Sequence, residues 1–362
     1  MKIGIDGSRA FLKQRTGIEE YSYRTIRHLA GKLNDHQVIL YLRSKQMPDF
    51  ELPSNWRMKK IRFSRFWTQI GLSLELMLHP VDALFVPAHT VPIIHPENTV
   101  VTIHGLEFEV MPEAYSPWER FYMRMSIKKS CQWAKKIISV SRSTRKDLTN
   151  IYEVPKEKIS VIYEGYEEKS EVNPPVGGKK SKDDKNDPYL LFIGRIEKRK
   201  NIEGMIRAFE ILKSKHGIPH RLVLIGRPGH GYEDIKKQIE KSEFKAEIVE
   251  TGFVNAEKKQ ELLEGASVFL FPTFYEGFGL PILEAQNAGV PVVSSNVSSL
   301  TEVAEGSALL VDPREPEFIA GAALSLITDE KLANEMIQKG KENIKRFSWE
   351  KCAGLIKKII ED

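Results

Sequence analysis

Tyr275-Glu-Gly-Phe-Gly-Leu-Pro-Ile-Leu-Glu-Ala285 follows an apolar run that ends near Pro272 and leads into a helical pattern. Gly277 and Gly279 let another group approach the backbone closely. Pro281 suits a first helical turn, where its missing N–H costs nothing. The N–H groups of Phe278, Gly279 and Leu280 then lie free at a helix start, with the helix dipole behind them, an arrangement suited to an anion. Glu276 and Glu284 flank that turn. Carboxylates cannot bind phosphate, but they accept hydrogen bonds from hydroxyls, so a sugar and a ribose are fitting partners. The plainer reading is a helix start with Glu276 as a capping acid and Glu284 exposed.

Outward from this segment, short β-branched runs alternate with helical stretches. Strands are predicted at Lys2–Ile5, Val38–Leu42, Ala83–Val86, Val100–Ile103 and Ile137–Val140, then at Tyr189–Ile193, Arg221–Ile225, Glu247–Thr251, Val268–Phe271 and Val290–Ser294. Helices are predicted at Ile18–Leu33, Thr68–Leu78, Pro117–Ala134 and Ser143–Tyr152, and from Ile202, Tyr232, Glu257 and Leu280. Such alternation builds parallel sheets covered by helices, an α/β class. Residues 169–187 are polar and charged with few apolar side chains, which reads as a linker. The expected organisation is a Rossmann-like domain at 1–168, the linker, a second Rossmann-like domain at 188–345, and a closing helix at 346–362 as a candidate to pack back on the first domain. Ligands of open α/β sheets bind outside the carboxyl ends of the strands.

The chain has 362 residues, 41% of them hydrophobic and 28% charged, which suits a globular protein of about two domains. Its two cysteines, Cys131 and Cys352, exclude a disulfide framework and a thiolate zinc site. No apolar run is long enough to span a bilayer. The opening Lys2-Ile-Gly-Ile-Asp6 has no leader pattern, so the expected location is cytoplasmic. Residues 1–170 carry 26 lysines and arginines against 19 acids, a net of +7, whereas the remainder is slightly acidic. A basic first half favours an anionic partner, either a phosphorylated ligand or an anionic membrane.

Gly194-Arg195-Ile-Glu-Lys-Arg-Lys200-Asn201 crowds four cations into the turn after a strand. Like charges at that density call for an anion or for solvent. Together with the Glu276–Glu284 segment, this turn strongly resembles the signature of the retaining family 4 glycosyltransferases of the GT-B fold. Thr16-Gly17-Ile18, Val101-Thr-Ile-His104-Gly, Val140-Ser141-Arg-Ser143 and Gly252-Phe253-Val254 fall in that family's order, so the resemblance covers essentially the whole chain.

The resemblance implies two parallel-sheet domains facing across a cleft. It assigns Arg195, Lys200 and the Gly17 turn to the donor diphosphate, with the amides of Phe278, Gly279 and Leu280. Glu276 is assigned to the sugar hydroxyls, Glu284 to the ribose, His104 to the donor sugar, and the backbone at Phe253 and Val254 to the nucleobase. Lys198 and Arg199 match no fixed family position and read as a solvated face. The implied reaction is metal-independent transfer of a hexose from a nucleotide-diphosphate sugar to a saccharide or lipid-linked acceptor with retained configuration. The lean is GDP-mannose, with UDP-glucose and UDP-N-acetylglucosamine as alternatives. No cofactor beyond the donor is implied, and no side chain is assigned as nucleophile. A nucleotide-sugar epimerase on the same scaffold is the rival enzyme. A nicotinamide enzyme is disfavoured because Gly4, Gly7 and Gly17 are wrongly spaced for a dinucleotide fingerprint. Nucleic-acid binding has no recognisable module.

Pro117–Ala134 is a basic helix in which Ser116 and Glu119 form a capping box. Arg120, Arg124 and Lys128 recur on one side, and Trp118, Phe121, Tyr122 and Met125 add apolar bulk. Two readings stand: a helix lying on an anionic bilayer, or a domain helix with its aromatics packed inward.

Overall fold

The computed structural model describes residues 1–12, 14–15, 17–63, 65–167 and 188–362. The chain divides into two compact units, Met1–Gly165 with Phe347–Asp362, and Tyr166–Arg346. The linker assigned to 169–187 lies outside the described residues.

In the first unit, strands β1 (Lys2–Asp6), β2 (Gln37–Arg43), β3 (Trp56–Ile61), β4 (Ala83–Val86), β5 (Asn98–Ile103), β6 (Lys136–Ser139) and β7 (Ile159–Val161) form one sheet. Its order is β3-β2-β1-β4-β5-β6-β7, with every neighbouring pair parallel. Ile3 lies in register with Val38 on one side and Ala83 on the other. A parallel sheet is covered on both faces, so its central strands read as unbroken apolar runs. All four residues of β4, Ala-Leu-Phe-Val, are buried. Helices α1 (Gly17–Ala30), α2 (Ser73–Leu78), α3 (Glu107–Val110), α4 (Pro117–Trp133) and α5 (Arg142–Tyr152) lie in the same unit. The helix expected at Thr68–Leu78 begins as a π-helical stretch, Trp67–Leu72, and runs on into α2.

In the second unit, β8 (Tyr189–Ile193), β9 (Arg221–Ile225), β10 (Ile248–Gly252), β11 (Val268–Phe271), β12 (Val292–Ser295) and β13 (Leu309–Val311) pair in the order β10-β9-β8-β11-β12-β13, again all parallel. Stacked Phe192, Phe269 and Phe271 fill the centre. The helices are α6 (Ile202–His216), α7 (Tyr232–Lys241), α8 (Ala256–Glu264), α9 (Leu280–Asn287), α10 (Leu300–Ala304), α11 (Pro316–Thr328) and α12 (Glu330–Ile344). The first and fourth strands of this unit, β8 and β11, are neighbours. At such a switch point the loops leave in opposite directions and open a crevice.

The last helix, α13 (Trp349–Glu361), belongs to the first unit. Lys32 pairs with Glu350, and the Asn98 side-chain amide donates to the Ile360 carbonyl at 2.9 Å. Gly165 lets α13 start there, because a Cβ on it would sit 2.2 Å from the Trp349 nitrogen.

Candidate functional site

The switch point of the second unit brings two of the charged candidates, Lys200 and Glu276, together. After β8 the chain makes a tight turn at Lys198–Lys200, and Asn201 closes it with φ 58°. The Asn201 side-chain amide donates to the carbonyls of Pro272 (3.0 Å) and Pro313 (2.6 Å). The Phe274 amide donates to the Arg199 carbonyl at 3.0 Å. These bonds clamp the loop after β8 against the loop after β11, and they set Lys200 beside Glu276.

Lys200 Nζ forms an ion pair with Glu276 Oε1. Arg199 Nη1 donates to the Tyr275 carbonyl at 2.8 Å and lies 3.4 Å from the same carboxylate oxygen. Arg199 Nη2 pairs with Glu197 at 2.9 Å. Two cations and two carboxylates therefore share a buried cluster. Burial pulls the Lys200 ammonium below its ordinary pKa, although Glu276 opposes the shift. Burial alone would raise the Glu276 carboxyl, but Lys200 and Arg199 outweigh it and hold the group below the usual carboxylate range. Desolvating such a pair costs about as much as its attraction returns. Stability therefore gives little reason for its presence, and a ligand is the more direct one.

The turn that follows is tied down by hydroxyls. Ser298 Oγ accepts from the Glu276 amide at 3.1 Å, and Ser299 Oγ donates to the Glu276 carbonyl at 2.8 Å. Gly279 caps α9 with φ 128°, where a Cβ would meet Leu300 Cδ2 at 2.8 Å. Pro281 occupies the first turn, as the sequence indicates. The leading amides of α9, at Gly279 and Leu280, have no intrahelical partner and form the positive end of the helix. Phe278 is buried under the turn.

Other candidates stand apart from the cluster. Arg195 is exposed and makes no ion pair among the described residues. Glu284, in the body of α9, pairs with Lys259 of α8 at 2.6 Å. Phe253 follows β10 as an exposed ring with the Arg227 guanidinium 4.7 Å from its centroid, and Val254 beside it is half-buried. One expectation is corrected: Arg199 is not part of a solvated face but is half-buried and engaged by Glu197, Tyr275 and Glu276. Lys198 does face solvent, paired with Asp234 at 2.6 Å.

In the first unit His104 follows β5 and is buried. Its Nε2 donates to the Pro87 carbonyl at 2.8 Å, and its Nδ1 lies 3.4 Å from Glu164 Oε1. The rings of Tyr21 and His89 pack on it at 4.6 and 5.2 Å. Burial raises the Glu164 carboxyl against the pull of His104, and it pushes His89 well below the ordinary imidazole value. Sequence reasoning missed Glu164 and His89. Nothing in the local pattern marks them, because their burial arises only when distant loops meet. Gly17 opens α1 with open space around its Cα, and its neighbour Thr16 lies outside the described residues.

Two family models match the chain: Glycosyltransferase Family 4 over residues 15–169 and Glycosyl transferases group 1 over residues 178–343. O-antigen chain mannosyltransferase B of Escherichia coli is 34% identical over 262 residues, which cover 71% of this chain and 68% of that protein. An uncharacterized glycosyltransferase of Methanocaldococcus jannaschii is 27% identical over 355 residues, 88% of each chain. Among solved structures, sucrose-phosphate synthase from Thermosynechococcus elongatus superposes with a TM-score of 0.74 at 18% identity, covering 100% of this chain and 98% of that one.

Proposed function

Because the chain belongs to the family 4, group 1 glycosyltransferases of the GT-B fold, we propose that it transfers mannose from GDP-mannose, with retained anomeric configuration, to a saccharide or lipid-linked saccharide of a cell-surface glycan. The observation that carries this reading is the buried Lys200–Glu276–Arg199 cluster beside the start of α9. The similarity to an O-antigen mannosyltransferase supports mannose.

A departing nucleoside diphosphate gains negative charge as the glycosidic bond lengthens. Fixed donors aimed at that charge lower the barrier. Lys200, the exposed Arg195 and the Gly279 and Leu280 amides are the groups proposed for this task. Without donor, Lys200 and Glu276 neutralise each other. A diphosphate offers Lys200 a second anion and leaves Glu276 lone pairs for the sugar hydroxyls. Glu284 takes the ribose hydroxyls, and the backbone at Phe253 and Val254 meets the base. Both ring nitrogens of His104 are engaged, so its proposed contact with the sugar requires the Glu164 bond to open. The leaving phosphate oxygen takes the acceptor proton on the same face, and no side chain acts as nucleophile. The acceptor brings the enzyme to an anionic membrane through α4.

The test is calorimetry against GDP-mannose, UDP-glucose and UDP-N-acetylglucosamine, followed by transfer assays with the anomeric configuration read by NMR. GDP-mannose should bind best, Glu276→Ala should abolish transfer, and EDTA should leave the rate unchanged. Full transfer by the Glu276→Ala variant would remove the assignment. An isomerised sugar formed from donor alone would favour the epimerase.

A further inference from the structure

Glu164 follows β7 in the first unit, and the proposed transfer assigns it no task of its own. Its side chain is 5% exposed, against 8% for His104, and its Oε2 is buried with no hydrogen-bond partner. The backbone there is fixed, because Gly165 packs directly on Trp349 at the start of α13. The titratable groups facing Glu164 are His104 after β5, Tyr21 of α1 and Cys352 of α13. Burial raises the tyrosine and the thiol, so neither carries charge at neutral pH. On the far side of His104 stands His89, which burial keeps unprotonated. Its backbone has φ 45°, a costly conformation for such a residue, and its amide donates to the Thr102 carbonyl at 2.9 Å. Arg9 acts on His89 from farther out and is itself paired with Glu19.

A carbonyl oxygen only accepts, so the 2.8 Å bond to Pro87 requires a hydrogen on His104 Nε2. One further hydrogen can sit on Nδ1 or on Glu164 Oε1, which face each other at 3.4 Å. On Nδ1 it makes an imidazolium and a carboxylate, and that carboxylate keeps a buried oxygen with nothing to bond. On Glu164 it leaves both groups neutral, with the carboxyl O–H donating to Nδ1. The charged pair must lose the hydration of two ions, and the unsatisfied carboxylate oxygen adds to the cost. Tyr21, Cys352 and His89 supply no compensating charge. The raised carboxyl of Glu164 agrees with the neutral arrangement. The 3.4 Å separation is longer than the about 2.8 Å of a well-formed O–H bond, so the two groups part at little cost.

We propose that Glu164 is a specificity-determining partner of His104: as a neutral carboxyl it keeps the ring in the Nε2–H tautomer, and a hydroxyl of the donor sugar inserts between the two groups. The inference rests on the transferase reading and adds what His104 and Glu164 recognise together. A hydroxyl both donates and accepts, so it accepts from the Glu164 carboxyl and donates to Nδ1. No proton changes owner, and one hydrogen bond is replaced by two. A sugar position that cannot do both leaves one of the two buried groups unpaired, which is how the pair selects its substrate.

The experiment is long-range proton–nitrogen NMR of the full chain with isotope-labelled histidine, the His104 signals being identified by their loss in His104→Gln. At neutral pH His104 should show one protonated nitrogen and one acceptor nitrogen, the acceptor being Nδ1. An imidazolium, or a hydrogen on Nδ1 alone, overturns the proposal. Calorimetry with GDP-mannose and with GDP, which has no sugar, supplies the second readout. Glu164→Ala should weaken GDP-mannose by about threefold to tenfold and leave GDP unchanged. Glu164→Gln should restore both the affinity and the tautomer, because its amide N–H makes the same donation. In a His104→Gln background Glu164→Ala should cost little more. A defect that Glu164→Gln does not repair, or that keeps its full size without His104, is that of a merely structural residue and also overturns the proposal. The wild-type spectrum and the glutamine variants decide the matter even if Glu164→Ala does not fold. Donor binding with an imidazolium at His104 sinks only the role of Glu164. The Nε2–H tautomer without binding of any nucleotide sugar sinks the transferase reading and leaves the Glu164–His104 pairing standing.

Discussion

Replacing Lys200 by Met removes the cation from a pair whose side chains are 11% and 12% exposed. Removing one partner of a buried pair costs about 3–5 kcal/mol, because the other charge is stranded without water. Arg199 Nη1 remains 3.4 Å from the Glu276 carboxylate, which places the expectation at the lower end, about 3 kcal/mol. With a urea m-value of about 2 kcal/mol/M, the midpoint should fall by about 1.5 M. The five tryptophans, Trp56, Trp67, Trp118, Trp133 and Trp349, all lie in the first unit. Tryptophan fluorescence therefore follows that unit, while far-UV circular dichroism follows both. Lys200→Met should move the dichroism transition of the second unit and leave the fluorescence transition in place. Glu276→Leu alone should also destabilise, whereas the double variant removes both charges and should cost less than the sum by about 1–3 kcal/mol. A midpoint shift below about 0.3 M, or additive single costs, would refute the buried-pair account.

Arg195→Ala should leave thermal unfolding unchanged, since its side chain is exposed; losing one charge-assisted bond should weaken donor binding by roughly tenfold to a hundredfold in calorimetry. Gly279→Ala forces a Cβ into φ 128° and against Leu300, so it should cost about 1–3 kcal/mol by thermal unfolding; an unshifted melt would contradict the backbone reading. Glu276 is held below its ordinary value of 4.5, so the unfolded chain binds more protons in the acid range and stability rises with pH there. That contribution is complete above pH 4.5 and is lost as pH falls through the depressed folded value, and acid melts of Glu276→Gln should lack the slope. In Glu276→Gln, Lys200 keeps its burial but loses its main anion. Stability of that variant should climb as pH approaches the ordinary lysine value of 10.5, because the folded lysine sheds its proton first.

Ten strands were legible in the sequence, and nine of them are central strands of a parallel sheet, which are largely apolar, as in Val-Phe-Leu-Phe of β11; the tenth, β10, is an edge strand. The three missed, β3, β7 and β13, all lie at sheet edges. One side of an edge strand is open, so β3 can read Trp-Arg-Met-Lys-Lys-Ile without an apolar run. The α9 turn was legible too, because Gly279 and Pro281 are demanded by backbone geometry at their own positions.

Local chemistry marked Glu276 as a candidate and the family resemblance marked Lys200, yet neither showed that they touch. They are 76 residues apart, and they meet because β8 and β11 are neighbours in a sheet whose strand order reverses there. Arg199 illustrates the limit most clearly. A run of Lys-Arg-Lys looks solvated by composition, but the clamp made by Asn201 turns the middle residue inward onto Tyr275 and Glu276. Glu164 and His89 reach His104 in the same way, from loops far apart in the chain. Periodicity and turn residues act over a few positions, so the sequence by itself determined most of the elements and the glycine–proline turn that opens α9. Burial and the pairing of charges depend on which distant segments are brought together, and only the tertiary structure decided those.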